Sequence, residues 1–283
     1  MRQPRGYELG DGCLVCKLTK ALYSLKQASR TWYHKYSIAL LHLGFSATKS
    51  DVSIFVRFKH NFTPFVLVYV DDIIITGDSE GAISQVIQQL NDKFALKDLG
   101  DLHYFLEIQV TKTNAGGLVL SQEKYIKDLV KKVEIEDCEP CHTPLPSSVT
   151  FSAFGGSVFN NPRLYISVVR NLAYSISLGT LSFGLHLQQT SVQRIAAYSD
   201  SDYGVDPDDR KSIVGFCVFL ERNLVSWSSK KQGSVARSST EAEYRVMADL
   251  VAELIWIKNL MVEFRIPLST PHQYIVIISV QYC

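Results

Sequence analysis

The stretch that most constrains this chain is Phe65-Val-Leu-Val-Tyr-Val-Asp-Asp-Ile-Ile-Ile-Thr-Gly77, where two adjacent acids, Asp71 and Asp72, separate two apolar runs of strand length. Val, Ile and Tyr fit a pleated, half-buried surface, so each run reads as a strand. The simplest arrangement is a hairpin with the acids at its turn, because a turn is where a carboxylate can leave the core. Adjacent strand residues point to opposite faces, so the two carboxylates are not equivalent. An Asp-Asp pair repels itself unless something positive is nearby, and a hard divalent cation such as Mg2+, liganded by oxygens, is the natural neutraliser. A solvated acidic turn is the bland alternative, and the pattern alone leaves both readings open.

A chain of 283 residues is long enough for two domains. Its formal net charge of +1 gives no overall basic field, so any nucleic-acid contact must come from local patches. The longest apolar runs, Phe62–Val70 and Tyr274–Val280, fall short of the roughly 20 residues a membrane span requires. The opening Met-Arg-Gln-Pro-Arg-Gly has no apolar core of the kind a signal peptide needs. The expectation is an intracellular protein, cytoplasmic or nuclear, with no membrane association. Cys13-Leu-Val-Cys16 and Cys138-Glu-Pro-Cys141 have the spacing of zinc half-sites, but they are far apart, and reduced or buried thiols are the favoured reading.

Lys20–Trp32 leads into a helical pattern with Trp32, Tyr36, Leu40 and Leu43 on one face. Ile54–Arg57 reads as a strand, and Ile83, Val86, Ile87, Leu90 and Phe94 as the apolar face of a helix after the hairpin. Leu102–Lys112 and Leu118–Leu120 read as strands around an Asn114-Ala-Gly-Gly117 turn, with a helix over Tyr125–Val133. Glu139–Pro146 carries three prolines and reads as a linker. In the second half, Arg194–Tyr198 predicts a strand ending in Ser199-Asp-Ser-Asp-Tyr203, followed by strands over Gly215–Leu220 and Leu224–Trp227. Ser238-Ser-Thr-Glu241 is a capping box. It opens a long helix whose expected apolar face holds Tyr244, Met247, Val251, Leu254, Ile255 and Met261. Asp200, with Asp202 as a near alternative, and Glu241 could converge on one metal. Equally, Glu241 could simply cap the helix and the two aspartates could be loop acids. The alternation of hairpins and helices predicts an α+β architecture.

Tyr69-Val-Asp-Asp72, Lys26-Gln-Ala28 with Arg30 and Trp32, and Leu96-Lys-Asp-Leu-Gly100 with His103-Tyr-Phe-Leu106 resemble copia-type retrotransposon reverse transcriptases. Ala197–Asp202, Ser226–Gln232 and Ala236–Tyr244 resemble the ribonuclease H portion of the same polyproteins. The resemblance implies a palm-like antiparallel sheet with helices over residues 1–146, a linker and shortened connection over 147–190, and an incomplete ribonuclease H-like α/β domain over 191–283. It implies Mg2+ as cofactor, and RNA template, DNA primer or RNA–DNA hybrid, and deoxynucleotides as partners. Asp71 and Asp72 match two of the family's three polymerase metal aspartates. Gln27 matches a segment that in the family lies near the incoming nucleotide, and by the same resemblance Tyr69 would flank the primer end. Asp200 and Glu241 match metal-holding acids of the ribonuclease H part.

The chain also departs from the family. The third polymerase aspartate would lie upstream of Met1, which reads as an internal methionine of a longer frame. Helices expected between Leu164–Tyr174 and Gly179–Leu187 are missing, which reads as an internal deletion, and no Asp or Glu follows Glu263. Ser24, Ser29 and Glu107 stand where the family usually has Gly, Pro and Gly, which puts turn geometry there in doubt. The expectation is a fragment weakly active or inactive alone. The alternatives are a non-catalytic nucleic-acid-binding module using Lys230, Lys231 and Arg237, or a residual hybrid nuclease.

Overall fold

The computed structural model describes residues 6–7, 14–15, 28–59, 62–70, 72–94, 96–132, 152, 154, 161, 183–191 and 194–268. The chain packs as two units, Met1–Gly100 and Asp101–Cys283. Among the described residues, four helices and antiparallel sheets make it a mixed helix-and-sheet protein.

In the first unit, helix α1 (Ala28–His42) precedes strands β1 (Ser46–Ala47), β2 (Ile54–Val56), β3 (Phe65–Tyr69) and β4 (Asp72–Thr76), and helix α2 (Glu80–Asn91) follows. The strands form one antiparallel sheet in chain order. Side chains alternate across it, so Val66 and Val68 of β3 are buried. They share one core with Tyr36 and Leu40 of α1, Phe45 and Phe55, and Val86 and Leu90 of α2. The expected inner faces of both helices are therefore the observed ones. Ser79 caps α2 by accepting a hydrogen bond from the Ala82 amide at 3.4 Å. Arg57 is buried; its guanidinium donates to the Leu43 carbonyl just beyond α1 at 2.9 Å and stacks on Phe45.

The second unit holds strands β5 (Tyr104–Phe105), β6 (Ile108–Lys112) and β7 (Leu118–Ser121), helix α3 (Glu123–Lys132) and strand β8 (Leu185–Leu187), with the four strands in one antiparallel sheet. The expected single strand over Leu102–Lys112 is in fact a hairpin. Tyr104 pairs with Gln109 and Phe105 with Ile108, leaving Leu106 and Glu107 as the turn with φ of 48° and 67°. Two positive φ values in a two-residue hairpin are the geometry that favours Gly or Asn, and both residues here carry long side chains. The doubt raised at Glu107 thus has a physical form. Glu107→Gly is expected to stabilise the hairpin by about 1 kcal/mol. Slower amide exchange across β5 and β6 in that variant is the check, and unchanged exchange would contradict it.

The same unit contains β9 (Ile195–Asp202), β10 (Ile213–Leu220), β11 (Asn223–Lys231) and α4 (Ser239–Glu263), with the three strands ordered β11-β10-β9. β9 runs through Asp202 instead of ending at Tyr198, because its alternation continues in polar residues: Ser199 is buried and Asp200 exposed. The expected apolar face of α4 is corrected. Ala242, Val246, Leu250, Leu254, Ile257 and Met261 are buried, with the last four packed on Ile195, Ala197 and Val218. Tyr244 is 66% exposed, and Val251 and Ile255 also face solvent. α4 carries apolar residues around most of its circumference, so two stripes satisfy helical spacing, and the one with Ala242 and Val246 lies against the sheet.

No described helix is long and apolar enough to cross a membrane. Both cysteine pairs, the Glu139–Pro146 linker, Leu164–Tyr174 and the Tyr274–Val280 run lie outside the described residues.

Candidate functional site

The acid hairpin is built as its sequence suggests. β3 and β4 pair from Phe65↔Thr76 to Tyr69↔Asp72, so only Val70 and Asp71 separate them. Asp72 opens β4 and is exposed, directly across from the half-exposed Tyr69. Because paired residues share a face, Tyr69, Asp72, Leu67 and Ile74 lie on the side of the sheet opposite the buried Val66 and Val68. Val70 has a φ of 52°. For a β-branched residue that is a strained position, held by the register on both sides. Gln27 and Asp71 lie outside the described residues.

The second group of acids lies where β9 meets the start of α4. Asp200 is opposite Gly215 of β10, and Asp202 opposite Ile213. Both carboxylates are exposed or nearly so, and neither makes an ion pair among the described residues. They line an open groove of about 590 Å³ with Tyr198, Gly215, Cys217 and Trp227.

Glu241 does not face this group as a free acid. Ser238 Oγ accepts the Glu241 amide at 3.1 Å, while Glu241 Oε2 accepts the Arg237 amide at 2.8 Å. Its Oε1 pairs with Arg245 at 2.7 Å. The Arg237 amide, and then Arg245, hold its carboxyl below the usual range. Glu241 is occupied by the cap.

The α4 acid whose carboxyl Asp200 influences is Glu243, two residues on. Its Oε2 is buried and has no hydrogen-bond partner among the described residues. Burial first, and then the Asp200 carboxylate, push the Glu243 carboxyl up, against a smaller opposing effect of the Ser201 backbone amide. Reasoning from sequence missed Glu243, although a signal was present. In a capping box the Glu at the third helical position is used by the cap, whereas Glu243 precedes the buried Val246 by three residues and so shares its inward side.

Asp200, without an ion pair among the described residues, and Glu243, raised by burial, are oxygen donors of the kind a hard divalent cation neutralises. Among the described residues, no three His, Cys, Asp or Glu side chains converge as a metal cluster. The basic candidates Lys230 and Lys231 are already paired, Lys230 with Asp249 at 2.9 Å and Lys231 with Asp206 at 2.6 Å and Asp209 at 2.9 Å. This pairing reduces the positive field they can offer a phosphate backbone.

Residues 1–147 match the family described as reverse transcriptase (RNA-dependent DNA polymerase). The retrovirus-related Pol polyprotein from transposon RE1 of Arabidopsis thaliana is 37% identical over 306 residues, covering 96% of this chain and 21% of that protein. The retrovirus-related Pol polyprotein from transposon TNT 1-94 of Nicotiana tabacum is 32% identical, covering 93% of this chain and 23% of its own length. An uncharacterized mitochondrial protein of Arabidopsis thaliana is 35% identical over 68% of this chain and 93% of its own length. The chain thus spans about a fifth of the length of the RE1 polyprotein it matches. The 306-residue match is longer than the 283-residue chain, so the RE1 protein carries residues within the match that this chain lacks. No solved structure matches the chain.

Proposed function

The chain belongs to the reverse transcriptase (RNA-dependent DNA polymerase) family of copia-type retrotransposon Pol polyproteins, and from that premise we propose that it is a partial Pol fragment that engages RNA template, DNA primer and deoxynucleotides with weak or no synthesis on its own. The observation that carries this reading is the hairpin tip. Register fixes Asp72 beside Tyr69 on the face of the sheet away from the helical core, where a primer end and a metal could both reach. Asp71 and Asp72 would hold Mg2+, which supplies charge for the attacking hydroxyl and the departing pyrophosphate. The chain's own contribution is to fix the tip rigidly and to present Tyr69 next to it. A two-acid site positions metal more loosely than a three-acid one, and phosphoryl transfer depends on positioning. Primer extension with Mg2+ and the purified chain tests the proposal. Little or no extension is expected, and robust processive synthesis abolished by Asp71→Asn would overturn the reading of weak activity.

The arrangement of Asp200 and Glu243 supports a second reading, a residual RNA–DNA hybrid nuclease in the second unit, with these two acids in the roles first given to Asp200 and Glu241. Hybrids are read mainly by shape and 2′-hydroxyls, which suits a site without sequence preference. Cleavage of a hybrid that is lost in Asp200→Asn and in Glu243→Gln would support this reading. Salt-sensitive binding without cleavage would instead favour a binding module.

A further inference from the structure

Helix α4 covers one face of the β11-β10-β9 sheet: Ile195 and Ala197 pack on it, so alternation turns Tyr198, Asp200 and Asp202 to the other face. Register extends that other face across the strands, setting Cys217 and Trp227 in line with Tyr198, and Gly215 beside Asp200. Trp227 is 63% exposed, and Tyr198 is held edge-on to Phe219 at 6.0 Å between ring centroids. A Cβ added at Gly215 would meet only the Ser228 carbonyl oxygen, at 3.5 Å, so a hollow lies open beside Asp200. Lys231 shares this face but is held by Asp206 and Asp209, whereas Asp200 and Asp202 make no ion pair among the described residues. The face is aromatic at one end and anionic at the other.

Helix α1 presents the opposite chemistry. Its buried side holds Tyr36, Ala39 and Leu40, and its exposed stripe runs through Arg30, His34, Ile38 and Leu41, with Lys35 alongside. The helix contains no Asp or Glu, Leu41 is 51% exposed, and Arg30 and Lys35 make no ion pair among the described residues. We propose that the open face of the β11-β10-β9 sheet is the docking surface for α1 of a second copy of this chain. The order of residues matches as well as the charge. Along α1 the bases come first and the apolar residues follow; along β9 Tyr198 comes first and the acids follow. A helix laid antiparallel to β9 therefore sets Ile38 and Leu41 on Tyr198 and Trp227, and Arg30 and Lys35 on Asp200 and Asp202. Its positive N-terminal end then lies over the acids. The stripe is roughly 16 Å long, and β9 from Ala196 to Asp202 roughly 20 Å, so one helix fills the face. Each copy carries both surfaces, so the contact is head-to-tail and either closes as a reciprocal pair or continues as a chain. It needs neither polymerase nor nuclease activity.

Sedimentation velocity of the full chain in EDTA, where no cation occupies the acids, reads the association directly. A species larger than the monomer is expected, with affinity falling on the order of 10-fold between about 0.1 and about 0.5 M NaCl. Charge reversal identifies the surfaces. Asp200→Lys with Asp202→Lys, and separately Arg30→Glu with Lys35→Glu, are each expected to leave a monomer. An equal mixture of the two variants is expected to associate again, because both contacts then pair acid with base, and that recovery also shows both variants folded. A mixture that stays monomeric, or variants that associate like the wild type, would overturn the proposal. Crosslinking gives a second readout that needs no charge reversal. Leu41→Cys oxidised with copper phenanthroline is expected to yield a covalent dimer through Cys217, lost when Cys217→Ser is added. A crosslink that survives Cys217→Ser would place α1 elsewhere and overturn it. So would wild-type chain that stays monomeric yet binds an RNA–DNA hybrid through Trp227, since the face would then belong to nucleic acid.

Discussion

If Asp200 and Glu243 hold a cation as the hybrid-nuclease reading has it, Glu243→Gln is expected to keep the fold and lose Mn2+ binding, while Glu241→Gln is expected to weaken the fold and keep it. The two acids are two residues apart on α4, yet their surroundings are opposite. Glu243 carries a buried oxygen with no partner among the described residues, and burial and the Asp200 charge both raise its carboxyl. Replacing it with a neutral amide relieves the burial of a charged oxygen and its repulsion by the Asp200 charge, so stability at neutral pH should rise, by about 1 kcal/mol. The same change removes one of two anionic donors, and Mn2+ affinity should drop by 10-fold or more. Glu241 satisfies the Arg237 amide and pairs with Arg245 at the start of α4. Glutamine there keeps part of the cap but loses the charge that favours the helix N-terminus, a loss of about 0.5–1 kcal/mol. Amide exchange of the α4 residues in the full chain, alongside Mn2+ titration, checks both variants. Loss of Mn2+ binding in Glu241→Gln with none in Glu243→Gln would return the metal role to Glu241.

The parts of the fold legible in the sequence were those with local causes. The β3–β4 hairpin was legible because two β-rich runs meet at an acid pair, and α1 and α2 because their apolar spacing admits one stripe. The Leu106-Glu107 turn was not. It has none of the Gly, Asn or Pro that mark a turn, so the run from Leu102 to Lys112 reads as one strand. The pairing of β8 with β7, Leu118 with Leu187, joins segments far apart in sequence, and no local pattern records a non-local partner. At the candidate site the acids were visible but their tasks were not. The capping motif drew attention to Glu241, and only the direction of α4 against β9 separates the capping acid from the inward one. The extension of β9 through Ser199-Asp-Ser-Asp202 was readable in principle. Its period of two is intact, but it is written in serine and aspartate where a strand is usually recognised by valine and isoleucine.

The other large effect concerns what holds the hairpin tip in place. Tyr36 is 0% exposed at the centre of the first unit's core, stacked on Phe94 at 4.2 Å between ring centroids and edge-on to Trp32 at 4.7 Å. Its neighbours in that core include Val66 and Val68, the buried side of the strand that ends at Tyr69. Tyr36→Ala is therefore expected to cost about 3–5 kcal/mol, the transfer loss of a buried ring plus the cavity left among rigid neighbours. Tyr36→Phe is expected to act in the other direction. The Tyr36 hydroxyl is buried without a partner among the described residues, and burial pushes its pKa up to about 12, as it would for a phenol deprived of solvent. Deleting that oxygen keeps the ring stack and removes the desolvation cost, a gain of about 1 kcal/mol. Because the chain folds as two units, a single denaturation curve would mix them. Amide exchange of β2, β3 and β4 in the full chain isolates the first: protection should fall steeply in Tyr36→Ala and rise modestly in Tyr36→Phe. Loss of protection in Tyr36→Phe would mean that the hydroxyl has a partner in solution. The core beneath the acid tip would then be polar at its centre, and the rigidity assigned to Asp72 would have to come from the hairpin register alone.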